Sequence, residues 1–158
     1  MKRKLAFLLL MCCTLWPMAS CSSDDNNDPT IDSNVVGTYS GPMSIAINGQ
    51  LVGEPVNHSV IISKSTDKSS VKLSIADFSF GTLNLGTITI DGCKCDYANH
   101  TFSLSATSTV TISLGTTNLT CPTKVTGTVV DKTTTLNLDI TVPGLNQAVT
   151  VTFSGTRP

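Results

Sequence analysis

The sequence predicts an all-β domain of short antiparallel strands, and three observations support this prediction. Apolar and polar residues alternate through most of the chain after Val35, which is the period of a strand with one buried face. Threonine and serine are abundant, and helical spacing is absent. Turn-forming pairs such as Asn48-Gly49, Asp91-Gly92 and Pro143-Gly144 separate the apolar runs. Many short strands with such turns form either a barrel or a sandwich.

The first 20 residues have the plan of an export signal. Basic residues Lys2, Arg3 and Lys4 precede an apolar run from Leu5 to Trp16. Because a membrane-spanning helix needs roughly 20 apolar residues, this shorter run predicts a cleaved signal peptide over residues 1–20.

The end of this leader predicts a lipid anchor. Met18-Ala19-Ser20-Cys21 resembles the bacterial lipobox, although Met18 stands where leucine is usual. The resemblance implies cleavage before Cys21 and lipidation of its thiol, and two or more acyl chains give stable membrane attachment. A plain secreted protein is the alternative.

Residues 21–34 are predicted to form a flexible tether, because Ser22 to Pro29 includes no apolar residue to bury. Its first residues, Ser22, Ser23, Asp24 and Asp25, look like the signal that sends Bacteroidetes lipoproteins to the cell surface. We therefore expect a lipid-anchored protein on the outer face of the outer membrane. The periplasmic face of that membrane is the alternative.

Removal of residues 1–20 leaves 138 residues, which suit one domain over residues 35–158. The leader takes three basic residues with it, so seven basic residues remain against eleven acidic ones, a net charge of −4. A mildly acidic chain without a basic patch argues against nucleic acid as a partner. The lipid must then supply the attachment to the membrane. The single tryptophan, Trp16, lies in the leader, which disfavours a glycan site built from aromatic platforms.

The alternating runs and turn pairs place the strands. We expect strands near residues 35–47, 56–64, 70–80, 83–91, 93–97, 100–106, 108–114, 124–130, 135–142 and 147–155. The low charge favours closure of the sheet, because threonine-rich strands with few charges would leave open edges poorly protected against pairing with other chains.

Five segments resemble the calycin-like β-barrel lipoproteins of Bacteroidetes. They are Gly37–Gly41 with the alternating Met43, Ile45 and Ile47, then Ile75–Phe80, Leu85–Ile88, Val125–Val129 and Val151–Gly155. The resemblance covers most of residues 35–156 and implies a lipocalin-like antiparallel barrel of about eight strands. It brings no catalytic residues with it. A β-sandwich is the alternative that the residues alone leave open.

Three cysteines, Cys93, Cys95 and Cys121, follow the lipidated one. Export permits disulfides, and a bridge from Cys93 or Cys95 to Cys121 would leave one free thiol. Unpaired buried thiols are the alternative. Zinc held by these cysteines and His100 would have suitable donors, but Cys-x-Cys is not the usual finger spacing. We predict no metal site.

No catalytic constellation stands out. His58 is in phase with Val60 and Ile62 and is expected to face a partly polar interior, whereas His100 is expected at a turn. A Gly-x-Ser-x-Gly nucleophile motif is absent, and Asp91 and Asp96 are more simply explained as solvated loop residues than as paired catalytic carboxylates. We therefore predict neither enzymatic activity nor a cofactor.

The function depends on the barrel interior, which we expect to be filled or nearly filled. The candidate lining of any cavity is Tyr39, His58, Phe78, Phe80, Phe102 and Phe153. A cavity of roughly 300 Å³ or more would favour a barrel that binds a modest apolar ligand. A solid interior with an exposed apolar patch would favour a structural or protein-interaction subunit of a cell-surface complex.

Overall fold

The computed structural model of the chain describes residues 30–67, 69–80, 83–114, 117–144 and 147–158. The predicted leader over residues 1–20, the lipidation site Cys21 and the export signal Ser22–Asp25 lie outside these residues. The helices that the structure describes include none that is both long and apolar enough to cross a bilayer.

One short helix and nine strands follow one another along the chain. They are α1 (Ile31–Asn34), β1 (Gly37–Ile47), β2 (Gln50–Leu51), β3 (Val56–Lys64), β4 (Ser70–Phe80), β5 (Leu83–Ala98), β6 (Thr101–Leu114), β7 (Thr117–Val130), β8 (Thr133–Val142) and β9 (Gln147–Thr156).

The long strands form a closed antiparallel barrel, which confirms the predicted fold class. Each of β1 and β3 to β9 pairs with the next long strand along the chain, and β1 pairs with β9 to close the sheet. Eight strands therefore make the wall. The remaining strand, β2, is a two-residue extension that pairs only with the end of β1.

The alternating pattern becomes the inside and the outside of the barrel. On β8, the buried side chains of Leu136, Leu138 and Ile140 alternate with more exposed threonine, asparagine and aspartate side chains. The inward side chains of all eight strands meet in one apolar core. Burial of this apolar surface is the main favourable contribution to folding.

Three of the predicted turns are confirmed. Gly144, just after β8, has a φ of 80°, as the predicted Pro-Gly type II turn requires. Asn48 and Gly49 both have positive φ angles, 48° and 81°, as a type I′ hairpin requires. Asn99 and His100, between β5 and β6, also have positive φ angles, so His100 lies at a turn as expected.

The prediction that Asp91-Gly92 forms a turn between two strands is wrong. β5 continues through both residues, and the register with β4 shifts by one residue between the pairs Val71/Cys93 and Leu73/Ile90. Gly92, with φ of 72°, provides the left-handed residue of this β-bulge. Similarly, β6 is one strand where the sequence predicts two, and β7 begins at Thr117, seven residues before its predicted start.

One end of the barrel is sealed. Here α1 covers the opening, with Ile31 packed against the core and Val35 fully buried. Residues 31–34, which the sequence predicts to be part of the tether, therefore belong to the folded domain. We call this the sealed end, and the opposite end, which carries the Asn48-Gly49 turn, the mouth.

Arg157 holds α1 in place. Its Nη1 donates a hydrogen bond of 2.7 Å to the Val36 carbonyl, and its Nη2 donates one of the same length to the Ser33 carbonyl. The guanidinium carbon lies 5.9 Å from the centre of the Tyr39 ring. The Tyr39 hydroxyl in turn donates to the Val35 carbonyl at 2.8 Å. These contacts all lie within residues 30–158, so a chain that begins at residue 21 retains all of them.

Candidate functional site

The inward-facing side chains become more exposed towards the mouth. On β3, Ile62 and Val60 are fully buried, His58 is half-buried, and Val56 is 61% exposed. On β1 the core position Met43 is followed by the half-buried Ile45. Side chains that face into the barrel can be exposed only where the barrel is open, so the mouth is open to solvent.

A bulge between β2 and β3 forms one side of the mouth. From the pair Ala46/Leu51 to the pair Met43/Val56, β1 advances three residues while the facing chain advances five. The Val52 amide still donates to the Ile45 carbonyl at 2.9 Å, so the two extra residues push the segment Gly53–Pro55 out of the wall. Gly53 accommodates the change in direction with a φ of 75°.

The wall is also parted between β3 and β4. Their ladder ends at Val60/Ile75, and the described residues nearer the mouth on these strands do not pair with each other. β4 bends here, because its register with β5 shifts between Ile75 and Phe78. Asp77, which lies within this shift, has a φ of 50°. A groove of about 320 Å³ marks this gap, and its lining includes His58 and Asp77.

A cavity of about 370 Å³ lies at the mouth, and we call it the mouth cavity. Its apolar lining comes from β1, the bulge and β3, through Met43, Ile45, Val52 and Val56. Gly53, Glu54, His58 and Ser79 complete it. Apolar walls with a few polar groups are typical of small-molecule sites.

The mouth cavity differs from the predicted one in most of its residues. Of the six predicted lining residues, His58 lines it, whereas Tyr39, Phe78, Phe102 and Phe153 are buried in the core. These four aromatic rings fill the barrel beneath the cavity, because a ring that packs on all sides removes more apolar surface from water than one that lines a space. The side chain of Phe80 lies outside the described residues. The interior is therefore filled towards the sealed end, as expected, and hollow at the mouth.

Sequence reasoning missed the aliphatic lining of the cavity. Its signal is the segment Leu51-Val52-Gly53-Glu54-Pro55, in which two apolar residues directly precede a glycine, an acid and a proline between two strands. Such a segment favours a bulged, partly apolar loop at the rim of a barrel.

The predicted disulfide is not formed, since Cys93, Cys95 and Cys121 are all free thiols. Cys95 pairs with Leu104 and Cys121 with Val110, so β6 separates the two and they are also offset along it. Two strand spacings amount to about 10 Å, and a disulfide needs Cα atoms within about 7 Å.

The cysteines have poorly reactive thiols. Burial, helped by nearby Asp91 and the Cys95 thiol, raises the pKa of Cys93 to about 11. Burial, helped by Asp96, raises the pKa of Cys95 to about 11 as well, and burial also raises the pKa of Cys121. Because the thiolate is the reactive form, these side chains are suited to packing.

The other polar candidates lie far from the mouth. The His100 Nδ1 is 3.5 Å from the Tyr97 hydroxyl, in the exposed turn of the sealed end. Asp91 accepts hydrogen bonds from the Ser65 hydroxyl and the Gly92 amide, and these bonds lower its pKa. Across the described ranges no group of three histidine, cysteine or acidic side chains is arranged to hold a metal ion.

Comparison with known proteins agrees with this architecture. The family model described as "Calycin-like beta-barrel domain" matches residues 35–156. A crystal structure from Bacteroides fragilis, of a "putative outer membrane protein", matches the fold with a TM-score of 0.61 at 20% sequence identity. The match covers 78% of this chain and 51% of that one, so the chain spans about half of the solved structure. No curated protein matches.

Proposed function

The chain belongs to the family of calycin-like β-barrel domains, and we propose that it is an outer-membrane lipoprotein whose barrel binds a modest apolar ligand at its mouth. The mouth cavity is the observation that supports this function most directly. At about 370 Å³ it exceeds the lower limit of roughly 300 Å³ for small-molecule sites. We propose a binding role without catalysis.

Saturable binding of a neutral apolar dye tests the proposal. The chain from residue 21, carrying Cys21→Ser so that no detergent is needed, would be titrated with N-phenyl-1-naphthylamine, whose fluorescence increases in apolar surroundings. We expect one binding site per chain. Absence of saturable binding would refute the proposed ligand site.

Two tryptophan substitutions on the same strand locate the site. Val56→Trp fills the mouth cavity and should weaken dye binding at least tenfold, because the indole occupies the space of the dye. Ile61→Trp is the matched control, since Ile61 is exposed on β3 and does not line the cavity. If both substitutions weakened binding equally, or if neither weakened it, the dye would bind elsewhere. Val52→Trp provides a second cavity-filling variant on the bulge.

The membrane part of the proposal rests on Cys21. The lipobox-like residues before it and the polar tether after it support acylation there. Cys21→Ala should abolish incorporation of a fatty-acid probe and release the chain from the membrane fraction. Unchanged labelling would contradict the anchor. The Bacteroides fragilis structure with the same fold is of a "putative outer membrane protein", which gives additional support to an envelope location.

Exposure at the cell surface is a separate part of the proposal, supported by Ser22–Asp25. Replacing these four residues with alanine should protect the barrel from protease added to intact cells while leaving acylation unchanged. Equal digestion of the wild type and the variant would contradict the export signal.

A second candidate function, recognition of another protein, is favoured by Leu51. This side chain is 73% exposed and does not line the mouth cavity. If the rim binds a protein, chemical crosslinking on intact cells should yield a larger species that Leu51→Ser removes.

A further inference from the structure

We propose that the mouth cavity selects apolar ligands that carry a positively charged amine over those that carry a carboxylate. This inference rests on the proposed ligand-binding function and specifies the class of ligand.

Apart from His58, the ionisable side chains that line the mouth cavity and the groove are both acids. Glu54 lines the mouth cavity on the bulge. Asp77 lines the groove where β3 and β4 part. His58 lines both spaces. The lining of each space contains one carboxylate and neither a lysine nor an arginine.

The basic residues of the described ranges lie elsewhere. Measured along the strands, Lys124 is halfway between the two ends, and the others lie nearer the sealed end; they are Lys64, Lys72, Lys94, Lys132 and Arg157. Lys94 and Lys124 line a separate groove of about 330 Å³ on the outer wall. The two acids are consequently the groups that mainly attract or repel a charged ligand head group.

The cavity suits an amphipathic molecule of modest length. Its volume of about 370 Å³ corresponds to about twelve water-sized groups at ~30 Å³ each. Met43, Ile45, Val52 and Val56 provide surface for an alkyl chain, and His58 and Ser79 provide hydrogen-bonding atoms. A chain of about ten carbons with a single head group matches this size.

The strength of the selection follows from the exposure of Glu54. An exposed ion pair contributes modestly, because water and salt screen it. However, the same carboxylate attracts an ammonium and repels a carboxylate, so the two effects add when the two ligands are compared. We expect about a fivefold preference for the amine at low ionic strength.

Displacement of bound N-phenyl-1-naphthylamine by decylamine, decanol and decanoate tests the inference. The three probes share one alkyl chain and differ in head-group charge. The assay would use the chain from residue 21 with Cys21→Ser, at pH 8, above the range in which histidine side chains ordinarily titrate. We expect decylamine to bind best and decanoate worst, with the difference shrinking as salt is added.

Substitutions assign the preference to Glu54. Glu54→Gln should reduce it to less than twofold, and Glu54→Lys should reverse it in favour of decanoate. Asp131→Asn is the matched control, because it removes one negative charge at the sealed end and should leave the preference unchanged.

The outcomes separate this inference from the proposed function. If the dye binds but decylamine and decanoate displace it equally, the charge selection is wrong and the ligand site stands. A preference that survives the combined substitutions Glu54→Gln and Asp77→Asn would also overturn the inference. If neither the dye nor any decyl probe binds, the proposed function fails and the inference fails with it.

Discussion

Arg157 is the residue whose removal should most affect the sealed end. Arg157→Ala deletes two hydrogen bonds to carbonyls of the α1 segment and the contact with the Tyr39 ring. Hydrogen bonds from charged groups contribute about 1.5–3 kcal/mol each, but the bond to the Ser33 carbonyl is exposed and contributes less. We therefore expect the free energy of unfolding to fall by about 2–4 kcal/mol in urea denaturation.

Lys132→Ala is the matched control for Arg157→Ala. It removes an exposed cation from the neighbouring turn and leaves intact the Lys132 carbonyl that accepts from the Arg157 amide. We expect a change within about 0.5 kcal/mol. Equal losses from both substitutions would show that Arg157 does not specifically secure α1.

The three cysteines should react slowly in the folded protein and completely in the unfolded one. With the pKa of Cys93 and of Cys95 raised to about 11, little thiolate is present at pH 8. Alkylation of the chain from residue 21 with Cys21→Ser should accelerate as the pH rises towards 11. In denaturant without reductant, mass spectrometry should count three modified thiols. A count of one would show that a disulfide forms.

At the scale of the strands, β1 and β9 approach each other closely at Gly41. A Cβ atom on Gly41 would lie 2.1 Å from the Ser154 carbonyl oxygen and 2.7 Å from the Gly155 Cα. Both are backbone atoms, so Gly41→Ala must push the closing strands apart. We expect a loss of about 2–3 kcal/mol of stability, measured by urea denaturation, which is the upper part of the usual range of about 1–3 kcal/mol for overpacking.

Gly49→Ala is a useful comparison. Gly49 has a φ of 81°, and apart from its two chain neighbours no residue has a heavy atom within 4 Å of the position that a Cβ atom would take. The substitution therefore introduces only backbone strain, about 1 kcal/mol. If Gly41→Ala proved no more destabilising than Gly49→Ala, the close approach would not limit the closure of the barrel.

How far the sequence predicts the strands depends on what interrupts each one. β3 and β4 have the predicted limits, because strict alternation ends at clear loops. The sequence divides β5 at Asp91-Gly92, since the pair that forms a hairpin turn also forms a bulge and local residues do not distinguish the two. The first half of β7 is not predicted because it contains Pro122, which has no amide hydrogen to donate to a sheet. Pro122 is tolerated here because it lies just beyond the end of the ladder with β8.

The candidate site is less predictable for a similar reason. Alternation indicates which side chains point inwards, and it places His58 correctly. It does not show where along the barrel the inward side chains stop filling the interior. That limit is set by the bulge after β2 and by the parting of β3 from β4, which both depend on register between strands.

For the whole molecule, the position of the chain's entry predicts an orientation. Residue 30 precedes α1 at the sealed end, and the proposed lipid on Cys21 is nine residues earlier in the sequence. The sealed end should therefore face the bilayer and the mouth should point away from it. A ligand would then reach the cavity from the aqueous side.

Tryptophan quenching by brominated lipids measures this orientation. In vesicles carrying the acylated protein, Lys132→Trp reports on the sealed end and Val56→Trp on the mouth, and the mature chain has no other tryptophan. We expect at least twofold stronger quenching of Lys132→Trp. Equal quenching of the two would show that the barrel lies on its side.

The contacts of Arg157 have a consequence for how the chain could be connected. They place the beginning and the end of the folded domain side by side, and the pairing of β1 with β9 already joins the first and last strands. The barrel is thus defined by the cyclic order of its strands, whichever strand comes first. A circular permutant that links residue 158 to residue 30 and begins at Lys132, in the turn before β8, should form the same barrel.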